Sequence, residues 1–137
     1  MEREVIDTFE RYADAFATLE PEAISEFWIV PSTISVNDQI AVLATEKEFR
    51  SNAEVLCTFY EKQRVKHVHA QVLDCKLLLP NAAQVSVRYV LMGREMSSIC
   101  EWTSHYILRR TQENWKIGFA IADEEIRAWA ARGTPLG

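Results

Sequence analysis

EWTSHYILRRTQENWKIGFAIA, residues 101–122, reads as two long strands joined by a tight polar turn. Side chains alternate along a strand, so Trp102, Ser104, Tyr106 and Leu108 share one face. Glu101, Thr103, His105, Ile107 and Arg109 share the other. Gln112, Glu113 and Asn114 make the turn, where short polar residues accept unusual backbone angles. The second strand alternates Trp115, Ile117, Phe119 and Ile121 against Lys116, Gly118, Ala120 and Ala122. A hairpin of this kind must bury its apolar face, and helices earlier in the chain are the natural cover.

Working back towards the N-terminus, two more long strands precede this hairpin. Residues 65–79 form one and residues 82–92 the next, with Pro80-Asn81 turning between them and Gly93 turning after them. Before residue 65 the period is helical. Val5, Ile6, Phe9, Tyr12, Ala13, Phe16 and Leu19 make one apolar stripe over 2–19. Pro21 suits the first turn of a second, shorter helix in which Ala23, Ile24, Phe27 and Trp28 face inward, and Pro31 ends it. Two short strands follow at 33–37 and 40–44, around Asn37-Asp38-Gln39. Thr45 with Glu48 three residues on is a capping-box pattern. It opens a third helix to about residue 62, with Phe49, Ala53, Leu56, Cys57 and Tyr60 on its apolar side. A last helix is expected at 124–132, capped by Asp123, anchored by Ile126 and Trp129, and stopped by Gly133 and Pro135.

Helices first and long strands later predict an α+β domain over residues 1–137, with a curved antiparallel sheet wrapped around three helices. Long strands curl, and a curled sheet closed by helices makes a cone with a central cavity. The 137 residues suit one domain, and 48% hydrophobic content supports a full core. Acidic residues number 20 against 15 basic ones, a net charge of -5 that argues against nucleic acid as a partner. No stretch approaches the apolar length of a membrane span, and no signal-peptide pattern follows Met1. Cys57, Cys75 and Cys100 form no CxxC pair, which points to free thiols and a cytoplasmic home.

ERYADAFATLEPEAISEFW at 10–28 and YILRRTQENWKIGFA at 106–120, with the third helix between them, resemble the nuclear-transport-factor-2-like superfamily. This is also called the SnoaL-like or cystatin-like cone. The resemblance implies the cone fold and a homodimer formed through the sheet, for which Val68, Ala70 and Val72 offer a patch. It leaves the activity open, since the superfamily holds isomerases, dehydratases, cyclases, epoxide hydrolases and protein-binding transport factors. Arg11-Tyr12 is similar to a pair in the ketosteroid isomerases, whose Tyr donates to a developing oxyanion. Their second oxyanion acid falls near Tyr106. Their general-base Asp falls on Val36, with Asp38 two residues beyond. His105 and Tyr106 invite comparison with scytalone dehydratase, and Arg88 with the epoxide hydrolases, without a full matching set.

The aromatic residues mark the candidate site. Tyr12, Phe16 and Trp28 come from the helical part, and Tyr89, Trp102, Ser104 and Tyr106 from strands. Together they are expected to line a cavity for a small apolar or aromatic molecule. One alternative is an isomerase, dehydratase or cyclase that uses Tyr12 and Tyr106 as hydrogen-bond donors to an enolate-like oxygen. Another is an interaction module that uses the exposed sheet face. No phosphate loop, nucleophile elbow or dinucleotide fingerprint is present, so no cofactor is expected. His67 and His69 share a strand face, but His105 lies two strands away, so no metal site is expected.

Overall fold

The computed structural model describes residues 2–112 and 114–136. The elements run α1 (Glu2–Ala17), α2 (Pro21–Ser25), β1 (Trp28–Val36), β2 (Gln39–Leu43), α3 (Glu46–Lys62), β3 (His67–Leu79), β4 (Ala82–Met92), β5 (Ser98–Thr111), β6 (Asn114–Ile121) and α4 (Asp123–Ala131). A short 3-10 turn, Arg94–Met96, links β4 to β5. The six strands form one sheet in the order β2-β1-β6-β5-β4-β3. The fold is the expected α+β arrangement, with four helices against a curled sheet. α1 lies across β3, and α4 lies against β5.

Local chemistry accounts for most boundaries. The Thr45 side chain accepts from the Glu48 backbone N–H at 3.1 Å. The Glu48 carboxylate in turn accepts from the Ala44 N–H at 2.7 Å, so the expected capping box closes one residue early. Asn37 adopts a left-handed φ of 54° in the two-residue turn between Val36 and Gln39. Gln112 does the same with φ 55° after Thr111, which pairs with Asn114. Glu113, expected in that turn, lies outside the described residues.

Four expectations are corrected. Trp28 and Pro31 belong to β1, because the second helix stops at Ser25. The strand accepts Pro31 because pairing to β6 is interrupted between Trp28 and Thr33, and pairing to β2 begins only at Ser32. Second, the sheet is not wholly antiparallel, since β1 runs parallel to β6. Third, Asp123 is the first residue of α4 rather than its cap, which is Ala122. Fourth, Val68, Ala70 and Val72 do not form an outer patch. They pack against the core, and the outer face of β3 carries His67, His69 and Gln71.

A bulge also reverses the expected face of half of β6. Ile107 pairs with Phe119 and Leu108 with Ile117, leaving Gly118 as the extra residue. Trp115 and Ile117 are buried as expected. Beyond Gly118 the parity flips, so Ala120 is buried while Ile121 is 40% exposed. A Cβ at position 118 would stand 2.8 Å from Ile29 Cδ1 and 3.3 Å from its Cγ1.

Gly118→Ala is therefore expected to destabilise the fold by about 1–2 kcal/mol, the usual cost of overpacking. In an Ile29→Ala background the same change should cost much less. Urea unfolding of the four members of this cycle measures the coupling. Equal costs in both backgrounds would refute the packing account.

Candidate functional site

Between the helices and the inner face of the sheet lies a cavity of about 330 Å³. α1 contributes Tyr12 and Phe16, and β1 contributes Trp28. Tyr89 enters from β4, and Trp102, Ser104 and Tyr106 enter from alternate positions of β5. All seven residues expected from the sequence thus line one space. Val36, at the position where the resemblance places an isomerase base, lines it too and brings no carboxylate. Asp38 is exposed at the β1–β2 turn. Arg11 is exposed, with its guanidinium 5.6 Å from the Phe27 ring. Arg88 pairs with Glu101 at 3.1 Å. His105 sits between Ser86 and Glu124, at 2.9 and 3.3 Å.

The hydroxyl and indole groups of the seven expected residues pair with one another. Trp28 Nε1 donates to Tyr12 Oη at 3.1 Å, which leaves the Tyr12 O–H free to donate elsewhere. The Tyr89 and Tyr106 hydroxyls share a hydrogen bond at 2.8 Å. Trp102 Nε1 donates to Ser104 Oγ at 3.0 Å. Burial pushes the Tyr12, Tyr60, Tyr89 and Tyr106 phenols upward. They stay protonated at neutral pH and act as donors.

The polar lining also holds Gln39, Asn52, Tyr60 and Glu125, which the sequence did not assign to the site, and Glu125 is the one that carries an ionisable carboxyl. Glu125, on α4, is buried and lines the same cavity. Its Oε2 accepts from the Tyr60 hydroxyl and, at 3.2 Å, from Trp129 Nε1. Among the described residues Oε1 makes no hydrogen bond. Burial raises the carboxyl from 4.5 to about 7, against the opposing pull of the two donors. Among the described residues no lysine, arginine or histidine lines the cavity. Spacing held the signal: Trp129 was expected to face inward, and the residue four places earlier on a helix shares its face.

The helices and the curled sheet thus enclose an apolar cavity that carries phenolic donors and one carboxyl. The chain belongs to the family described as NTF2-like protein (DUF6841), whose model matches residues 3–125. No curated protein matches it in sequence. A domain of unknown function with a cystatin-like fold from Nostoc punctiforme is 12% identical and superposes with a TM-score of 0.68, over 88% of this chain and 74% of that one. An NTF-2 like protein of unknown function from Shewanella oneidensis is 11% identical, with a TM-score of 0.69 over 88% and 96% of the two chains. A ketosteroid isomerase-like protein from Erwinia carotovora is 12% identical, with a TM-score of 0.62 over 88% and 94%. At these identities the likeness is one of fold. Among the described residues no helix is long and apolar enough to cross a membrane.

The Glu125 carboxyl ties stability to pH. The unfolded group ionises near 4.5 and the folded one near 7, so the folded state holds an extra proton between them. Its contribution is most favourable below the lower value and is lost as pH rises through the upper one, by about 3 kcal/mol. Glu125→Gln should remove this slope. Urea melts from pH 5 to 8 should show the variant gaining on the wild type as pH rises, and parallel curves would refute the assignment.

Proposed function

We propose that this protein binds a small, mostly apolar or aromatic molecule in the cone cavity. The observation that carries this reading is the cavity itself, about 330 Å³ in volume and walled mainly by aromatic and aliphatic side chains. That size is at the lower end of ligand pockets, which suits a molecule of one or two rings. Tyr12 and the Tyr89–Tyr106 pair offer hydroxyl protons to an acceptor oxygen on such a molecule. The interaction-module alternative called for a filled cone, and the cavity favours a ligand instead.

The same reading includes a homodimer formed through the sheet. With Val68, Ala70 and Val72 turned inward, its support passes to Leu73, Leu77 and Leu79, exposed on β3 at the sheet edge. A reducing cytoplasm fits the free thiols of Cys57, Cys75 and Cys100.

Titration with 2-naphthol, flat and apolar with one hydroxyl, is expected to quench tryptophan fluorescence at one molecule per chain. Ala120→Leu, which fills the cavity from β6, should weaken binding at least tenfold, about 1.4 kcal/mol. Native mass spectrometry of the complex should show a dimer. Binding indifferent to Ala120→Leu would refute the cavity reading, and a monomer mass would refute the dimer.

Glu125 favours a second reading, a proton-transfer enzyme. Its carboxyl supplies the base that position 36 lacks, and Tyr12 and Tyr106 face the same space as donors for an enolate oxygen. Such an enzyme should exchange the α-protons of phenylacetone in heavy water. The rate should fall at least a hundredfold in Glu125→Gln, followed by proton NMR. Equal rates in both proteins would remove this reading.

A further inference from the structure

Glu125 is a carboxyl without a counter-charge. Among the described residues, lysine, arginine and histidine are absent from the cavity lining. The ionisable groups that face it are Tyr60 from α3, Tyr12 from α1, and Tyr106 and Cys100 from β5. All four are pushed upward and stay neutral at pH 7, so none can supply a positive charge. On its own helix, Glu124 is engaged with His105, while Arg127 is exposed and outside the cavity lining. Meanwhile Oε2 is occupied by Tyr60 and Trp129, and Oε1 makes no hydrogen bond among the described residues. A lone buried carboxylate is costly, and removing one partner of a buried ion pair is strongly unfavourable. A bound cation would remove that cost. The rest of the lining suits a cation as well, because the faces of Tyr12, Tyr60, Trp102 and Tyr106 attract positive charge once water is excluded.

We propose that the cavity selects ligands carrying one protonated amine on an apolar or aromatic frame, with the ammonium paired to Glu125 Oε1. The proposal rests on the ligand-binding reading above and narrows it to a chemical class. The Tyr89 and Tyr106 hydroxyls at the sheet side bond each other, and one of the two protons of that pair is left for an acceptor elsewhere on the frame. Ammonium binding requires the carboxylate, so affinity rises with pH through about 7, where the carboxyl gives up its proton. The limit is the pH at which the amine itself becomes neutral.

The test compares 2-phenylethylamine with 2-phenylethanol, which differ only in the terminal group. Calorimetric titration at pH 8 is expected to show the amine binding about tenfold more tightly, with the preference shrinking at pH 6. Glu125→Gln should abolish the preference while leaving the affinity for 2-phenylethanol within about threefold. In the wild type at pH 7, titration in buffers of different ionisation enthalpy should show proton release with the amine and none with the alcohol. That arm stands even where the variant fails to fold. Equal affinities for the two probes at pH 8, a preference that survives Glu125→Gln, or amine binding without proton release would each overturn the proposal and leave the cavity reading intact. If neither probe nor 2-naphthol binds, the cavity reading falls and takes this one with it.

Discussion

Ile29 occupies the space in which a side chain at position 118 would have to sit, and a glycine lets β6 pass beneath it. That contact goes with the bulge at Gly118, and the bulge decides what faces the cavity. Without it, strict alternation would turn Phe119 and Ile121 inward behind Trp115 and Ile117. With it, Ala120 and Ala122 line the space. The void thus owes part of its volume to one residue without a side chain. A bulge also bends and twists the strand that carries it, which suits a sheet that must curl over helices.

The interior is organised by amphipathic aromatics. Each of four indole N–H groups finds an oxygen: Trp28 on Tyr12, Trp102 on Ser104, Trp129 on Glu125, and Trp115 on Glu4 at 3.3 Å. Large rings supply burial, and their polar tips are satisfied within the protein, which avoids the penalty of an orphaned donor. Ring packing continues across element boundaries. Phe59 meets Trp129 edge-on at 4.9 Å, and Trp129 lies 6.3 Å from Trp102, joining α3, α4 and β5. α4 therefore both covers the sheet and delivers a carboxyl to the cavity.

Most of the architecture was legible in residue patterns, because period and turn chemistry are local. The stripe of α1, the cap at Thr45 and the strand at 82–92 follow directly from spacing. The misplacements share a cause, in that each depends on a contact remote in sequence. Pro31 reads as a helix stop until the gap in pairing between β1 and β6 is known. Val68, Ala70 and Val72 read as an outer face until α1 is seen lying across β3. Trp102, Ser104 and Tyr106 were legible from face parity on β5, and Tyr12 and Phe16 from the stripe of α1. Glu125 was not, because an acid in the first turn of a helix usually serves the helix dipole in water. The packing of Trp129 against Phe59, Tyr60 and Trp102 carries that turn indoors.

The parallel junction between β1 and β6 bears on how the chain reaches this structure. Ile34 pairs with Ala120, so an early strand meets the last one across almost the whole domain. Local hairpins such as β3–β4 and β4–β5 need only short loops, whereas this junction waits on the closure of a very large one. Until it forms, β1 and β6 each present an unpaired edge, and the apolar side chains destined for the cavity wall have no cover. The step that completes the sheet also encloses the cavity, so the newly made chain is exposed to aggregation until that junction closes.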